Sequence, residues 1–201
     1  MPDKILISSA YLPPIEYFSY ILNADEVMVE REENYLKQTY RNRCYLLSAH
    51  GIQVLTVPVY QGSCHKTPVK NIRIDYSKRW QQVHLRAIIA SYRSSPYFEF
   101  YFEGLEKIIL KNHEFLLDLN TLLTEALLKL LGIQKPVYYT TSFTPLGTSE
   151  YDFRYKITPK KVSNFLLQDY PKVFDHNPDS VHGTSIIDLL FNMGPESINY
   201  L

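Results

Sequence analysis

Glycine is scarce in this chain, with 7 in 201 residues, and tryptophan occurs once. No GxGxxG, Walker, GxSxG or HExxH pattern occurs, which removes the common nucleotide-fold, serine-hydrolase and zinc-protease signatures. Two cysteines, Cys44 and Cys64, are too few for a disulfide framework or a four-thiolate zinc site. An excess of either charge is also missing. Lysine plus arginine number 21 and aspartate plus glutamate number 21, a balance that argues against a dedicated duplex-DNA binder. No apolar run approaches the roughly 20 residues that span a bilayer, and the start, MPDKILISSAYLPP, lacks the apolar stretch of a signal peptide. What is there is 45% hydrophobic residue, with 17 tyrosines and 10 phenylalanines. That content excludes a disordered polymer, and the length suits one domain. The expectation is a single soluble, intracellular domain over 1–201.

The order of patterns predicts an α/β fold: a mixed sheet with an N-terminal βαβ-like unit and a predominantly helical second half. KILIS reads as a buried strand, and Pro14 opens a helix carrying Ile15, Phe18, Ile21 and Leu22. Residues 25–30 read as the next strand. Residues 31–43 carry charge and tyrosine with little apolar period, the pattern of a surface excursion. A hairpin turning at His50-Gly51 follows, then a short strand at Ile72-Arg73-Ile74. Helices are expected from Trp80, from Pro96 and over 113–131, where Leu116, Leu119, Leu123 and Leu127 recur at helical spacing and Gly132 supplies the stop. After a strand at residue 137 comes an uncharged polar loop, a helix near Lys160 to Gln168, and a last helix from Ser185 to a stop at Gly194.

Sheet geometry picks the first candidate site. In open α/β sheets ligands lie beyond the carboxyl ends of the strands. Here that place holds Ser8 to Pro14 with Tyr11, and Glu30 lies at the same end of the second strand if the two run parallel. The alternative is an ordinary strand-to-helix turn. A second candidate is Lys37, Tyr40, Arg41, Asn42 and Arg43. Arg41 and Arg43 share a side if extended, and guanidinium forks suit phosphate or carboxylate. The same cluster also suits salt bridges to Glu30, Glu32 and Glu33. His84 and Arg86, near Trp80, form a third candidate; without a partner His or Cys, no metal site is expected. His65 is a loop acid or base or an ordinary surface histidine. Asp188 sits three residues after Ser185, a capping-box spacing, although its apolar neighbours leave a ligand role open.

Five short motifs in order carry a resemblance. They are Tyr11-Leu12-Pro13-Pro14-Ile15-Glu16-Tyr17-Phe18, Tyr40-Arg41-Asn42-Arg43, Leu55-Thr56-Val57-Pro58-Val59, Trp80…His84-Leu85-Arg86…Tyr92…Pro96-Tyr97-Phe98, and Ser185-Ile186-Ile187-Asp188-Leu189-Leu190-Phe191. Together they resemble the WbqC-like proteins, a bacterial family with members encoded among genes for O-antigen and other surface-polysaccharide assembly. The resemblance implies a cytoplasmic transferase-type enzyme acting on a nucleotide-activated sugar or a similar anionic small molecule. Arg41 and Arg43 would then hold phosphate, with Ser8, Tyr11, Lys37, Tyr40, Asn42 and Arg86 around the ligand. Glu30, His84 and Asp188 are the acid/base candidates. No cofactor is expected, and no nucleic-acid partner; oligomeric state is left open. One departure stands out: Ile7-Ser8-Ser9 occupies the place where relatives carry His-Gln-Pro. A noncatalytic binding or assembly protein that keeps the fold without that chemistry is the alternative.

Overall fold

A computed structural model describes residues 3–60, 66–161, 163–174 and 183–201. Strand β1 (Lys4–Ser8) leads through helix α1 (Ile15–Leu22) into β2 (Glu26–Glu30). The two strands pair in parallel, with Ser8 opposite Glu30, so the βαβ unit read from the sequence is present. A short strand β5 (Val137–Tyr139) joins the other side of β2, also parallel, giving the order β1-β2-β5. Strands β3 (Arg43–Ser48) and β4 (Gly51–Thr56) form a separate antiparallel hairpin. Helices α2 (Trp80–Tyr92), α3 (Phe98–Leu110), α4 (Leu116–Leu130) and α5 (Ile186–Met193) complete an α/β architecture.

Alternation and helical spacing explain the core. Ile5, Ile7, Val27 and Val29 point to one side of the sheet and are buried, as are Phe18 and Ile21 of α1. The α4 stripe Leu119, Leu123 and Leu127 has no exposed surface. Each such leucine contributes roughly 1.5–3 kcal/mol relative to an exposed one. Helix α5 starts where the Ser185 hydroxyl accepts the Ile187 amide and stops at Gly194. Gly194 has a φ of 54°, and a Cβ there would run into the Tyr97 ring.

Three expectations change. Described residues between Lys160 and Gln168 form no helix; they run as an irregular strap tied down by the Ser163 hydroxyl on the Glu16 carboxylate. Ile72–Ile74 makes only single bridges, Val59 to Ile74 and Arg73 to Phe115, rather than a strand. Residues 31–43 are not a solvated excursion: Glu33, Tyr35, Thr39, Tyr40, Arg41 and Asn42 are all buried. Their charges satisfy one another, which hydropathy along the chain does not register.

Candidate functional site

Beyond the carboxyl ends of β1 and β2 the chain fills its own space. Arg41 makes a two-pronged salt bridge to Glu33, Nε to Oε1 at 2.9 Å and Nη2 to Oε2 at 2.6 Å. Its Nη2 also donates to the Ser8 hydroxyl at 2.7 Å, and Nη1 to Thr39 at 3.3 Å. The second arginine at this end is Arg154, which grips Asp152 through Nε (3.0 Å) and Nη2 (2.6 Å). Its Nη1 donates to Glu30 at 3.1 Å and to the Thr144 carbonyl at 2.8 Å. Glu30, wholly buried, further accepts from the Thr140 hydroxyl (2.5 Å) and from the amides of Glu32 and Thr144 (both 2.9 Å). Every lone pair of that carboxylate has a donor, which is what a buried charge requires. The Tyr155 ring lies against both guanidiniums, 5.9 Å from Arg41 and 5.7 Å from Arg154. Between Ser8, Ser9, Tyr17, Tyr40, Arg41 and Arg154 remains a cavity of only about 10 Å³, room for a single water.

Tyr11 and His84 form a second unit. Tyr11 is buried, not projecting, and its hydroxyl meets His84 Nδ1 at 2.9 Å. The Thr56 backbone, at the end of β4, lies beside the ring and favours its charged form. Burial pushes the imidazole down to about 4, and the Thr56 bond only partly opposes that. The ring is therefore neutral near pH 7, and through Nδ1 it ties the tyrosine–proline bend to α2. The Trp80 ring packs edge-on against it, 5.0 Å between centres. The Tyr11 amide bonds the Tyr40 carbonyl at 2.8 Å, so the bend does meet the Tyr40-Arg41-Asn42-Arg43 stretch.

Asp188 does not cap α5. Its carboxylate is buried and accepts the Tyr170 hydroxyl at 2.5 Å and that of Tyr92. Burial raises its pKa, while the two phenols work against the rise. The capping spacing misleads because the first turn of α5 faces the interior, with Ile186, Ile187 and Leu189 likewise buried. Arg86 lies exposed on α2, apart from all these groups.

An open cleft lies around Arg43, with a volume of about 520 Å³. The chain turns at residues 41 and 42 before β3 begins, so Arg41 and Arg43 do not share a face. Arg43 leaves toward the cleft, where Lys37, Gln38, Asn42, Asp75 and Lys78 also line the wall and Val57-Pro58-Val59 forms an apolar side. Three cations thus face one carboxylate. Asn42 spends its Nδ2 on the Val57 carbonyl at 2.9 Å, and its buried Oδ1 has no partner. Arg43 Nε is likewise buried without one. Unpaired buried polar atoms cost about 1–3 kcal/mol each. Gln38 stands at φ 61°, a left-handed conformation that a non-glycine residue adopts at a cost.

The cleft thus gathers Lys37, Asn42 and Arg43 from the expected set, while Ser8, Tyr40 and Arg41 line the small cavity and Glu30 is locked in the ion network. Asp75, Lys78 and Arg154 were missed. Asp75 and Lys78 flank the Ile72–Ile74 stretch, and Arg154 was visible only as one arginine in a mixed segment. His65 and Cys64 lie outside the described residues. Among the described residues no group of three His, Cys, Asp or Glu side chains is placed to hold a metal ion, and no helix is long and apolar enough to cross a membrane.

With this geometry in place, comparison with known proteins defines the class. The model of the WbqC-like protein family matches residues 8–161, a span that contains the cleft, the Tyr11–His84 pair and Arg154. The chain belongs to that family. It is also 26% identical over 230 aligned residues to the uncharacterized protein Rv1507c of Mycobacterium tuberculosis, covering 100% of this chain and 98% of that one. No solved structure matches significantly.

Proposed function

We propose that this chain binds a nucleotide-activated sugar, or an anion of that kind, in the Arg43 cleft, as a cytoplasmic transferase-type member of surface-polysaccharide (O-antigen) biosynthesis. One observation carries the reading: Lys37, Arg43 and Lys78 converge on a cavity of ligand size beside two buried polar atoms that lack partners. Arg43 and the two lysines hold phosphate. Asp75 is the carboxylate nearest to hand for a proton. Arg41, first expected to grip phosphate, is committed to Glu33 and instead holds the floor of the fold.

A second reading is favoured by a separate observation. The end of β1, where relatives carry His-Gln-Pro, holds Ser8 and Ser9 sealed under ion pairs, and His84 is buried with its Nδ1 on the Tyr11 hydroxyl. A noncatalytic binding or assembly protein fits that end better than an enzyme does.

Thermal unfolding with UDP-glucose, GDP-mannose and dTDP-glucose tests the proposal. At least one should raise the melting temperature, and Arg43→Ala should abolish the rise. No response to any of them, or a response that survives Arg43→Ala, would sink it. Among ligands that bind, slow hydrolysis or transfer of the sugar separates enzyme from binding protein.

A further inference from the structure

A second groove lies across the sheet face that α1 does not cover. Because Ile5, Ile7, Val27 and Val29 point into the core, the alternate residues Leu6, Met28 and Tyr138 form a cross-strand row on the opposite face. The segment 139–149 folds back beside this row and leaves a cavity of about 450 Å³. Leu6 and Met28 are its floor. Its wall is hydroxyl-rich: Thr140, Thr141, Ser142, Thr144, Thr148 and Ser149 all line it, and among the described residues the only charged group is Lys4. Among the described residues no hydrogen bond engages the side chains of Thr141, Ser142, Thr148 or Ser149. Tyr138 and Phe143, in the same stretch of chain, are about half exposed, at 48% and 47%.

We propose that this groove binds an uncharged saccharide chain. Hydroxyl side chains donate and accept at once, which matches a ligand whose own hydroxyls do both. The apolar floor takes the C–H face of a sugar ring, and the exposed aromatic rings offer the same kind of surface. A wall with one cation and no carboxylate gives a charged ligand little counter-charge. A peptide adding as a strand along β1 is disfavoured, because that edge is already taken: the Leu6 amide bonds the Tyr151 carbonyl at 3.0 Å and the Phe153 amide bonds the Leu6 carbonyl at 2.8 Å. The wall is also held ready. Glu30 takes the Thr140 hydroxyl and the Thr144 amide, and Arg154 takes the Thr144 carbonyl while lying 5.4 Å from the Phe143 ring. The buried ion network at the strand ends is thereby the scaffold of this groove, and a preformed wall lowers the ordering cost of binding. The groove shares no lining residue with the Arg43 cleft, so this inference does not rest on what the cleft binds.

The methionines give a direct readout. There are three, Met1, Met28 and Met193, and of the two among the described residues Met28 lines the groove and Met193 does not. With ¹³C-methyl-methionine labelling and Met28→Leu for assignment, a panel of neutral hexasaccharides (gluco-, manno- and galacto-linked) is titrated beside hexagalacturonate and UDP-glucose. At least one neutral hexasaccharide should move the Met28 methyl saturably while Met193 stays still, and Ser149→Trp should block the shift while leaving Met193 at its native position. The inference is overturned if no neutral hexasaccharide moves Met28, if hexagalacturonate moves it equally, or if Ser149→Trp does not interfere. UDP-glucose acting on Met28 would make the groove an anion site and overturn it as well, whereas its failure to raise the melting temperature speaks only to the cleft.

Discussion

Arg41 and Arg43 stand two residues apart and meet opposite fates. Arg41 is buried, with its guanidinium held by Glu33, Ser8 and Thr39, and the space around it admits one water. Arg43 borders a cleft some fifty times larger, beside two lysines, with its Nε unpartnered. The same side-chain chemistry is spent on holding the fold in one place and left available in the other. What separates them is supply of carboxylate: Glu30, Glu33 and Asp152 all gather at the strand ends, whereas the cleft wall offers only Asp75. Electrostatic complementarity thus seals one region of the molecule and leaves the other with more cations than carboxylates.

Substitutions can break this contrast, and the largest effect belongs to the sealed end. Arg154→Met strands Glu30 and Asp152, and urea unfolding should show a loss of about 3–5 kcal/mol or more. Arg41→Met should cost a similar amount or slightly less. The double variant Arg41→Met with Glu33→Leu should recover most of that loss, because no buried charge is then left unpaired. A double variant as unstable as the single would mean that the bridge does more than neutralise Glu33.

The His84 unit sharpens the same contrast through pH. Its folded pKa, about 4, lies below the ordinary value of 6.5, so the unfolded chain binds the proton more readily. Its contribution is complete above about pH 6.5 and is lost as pH falls toward 4, a change of about 3 kcal/mol. Stability curves of wild type and His84→Gln should diverge at neutral pH and converge through that window. At the cleft the effect on folding should be smallest. Arg43→Met should change stability by less than about 1 kcal/mol while removing the nucleotide-sugar response, and a large loss of stability there would erase the distinction between the two arginines.

Much of the fold could be read along the chain because its signals are local. Strand alternation in KILIS, the leucine spacing of α4 and the Ser185 and Gly194 boundaries of α5 depend on neighbours within a turn or two. The misreadings share one cause, namely partners distant in sequence. The strap at 160–168 carries apolar residues at helix-like intervals, yet it lies irregularly with Ser163 anchored on Glu16. Asp188 has the spacing of a cap, but Tyr170 and Tyr92 arrive from other segments to claim it. The charged stretch 31–43 read as a surface excursion; its Arg41–Glu33 bridge closes within eight residues, but the Ser8 hydroxyl that joins it comes from 33 residues away.

Family membership and the α/β class were therefore within reach of the residues alone, since short motifs and periodicities encode them. Which arginine faces solvent, which carboxylate is neutralised and where a ligand-sized opening remains were settled only when the chain closed on itself. Burial and long-range charge pairing assign those roles, and they act between groups that the linear order keeps apart.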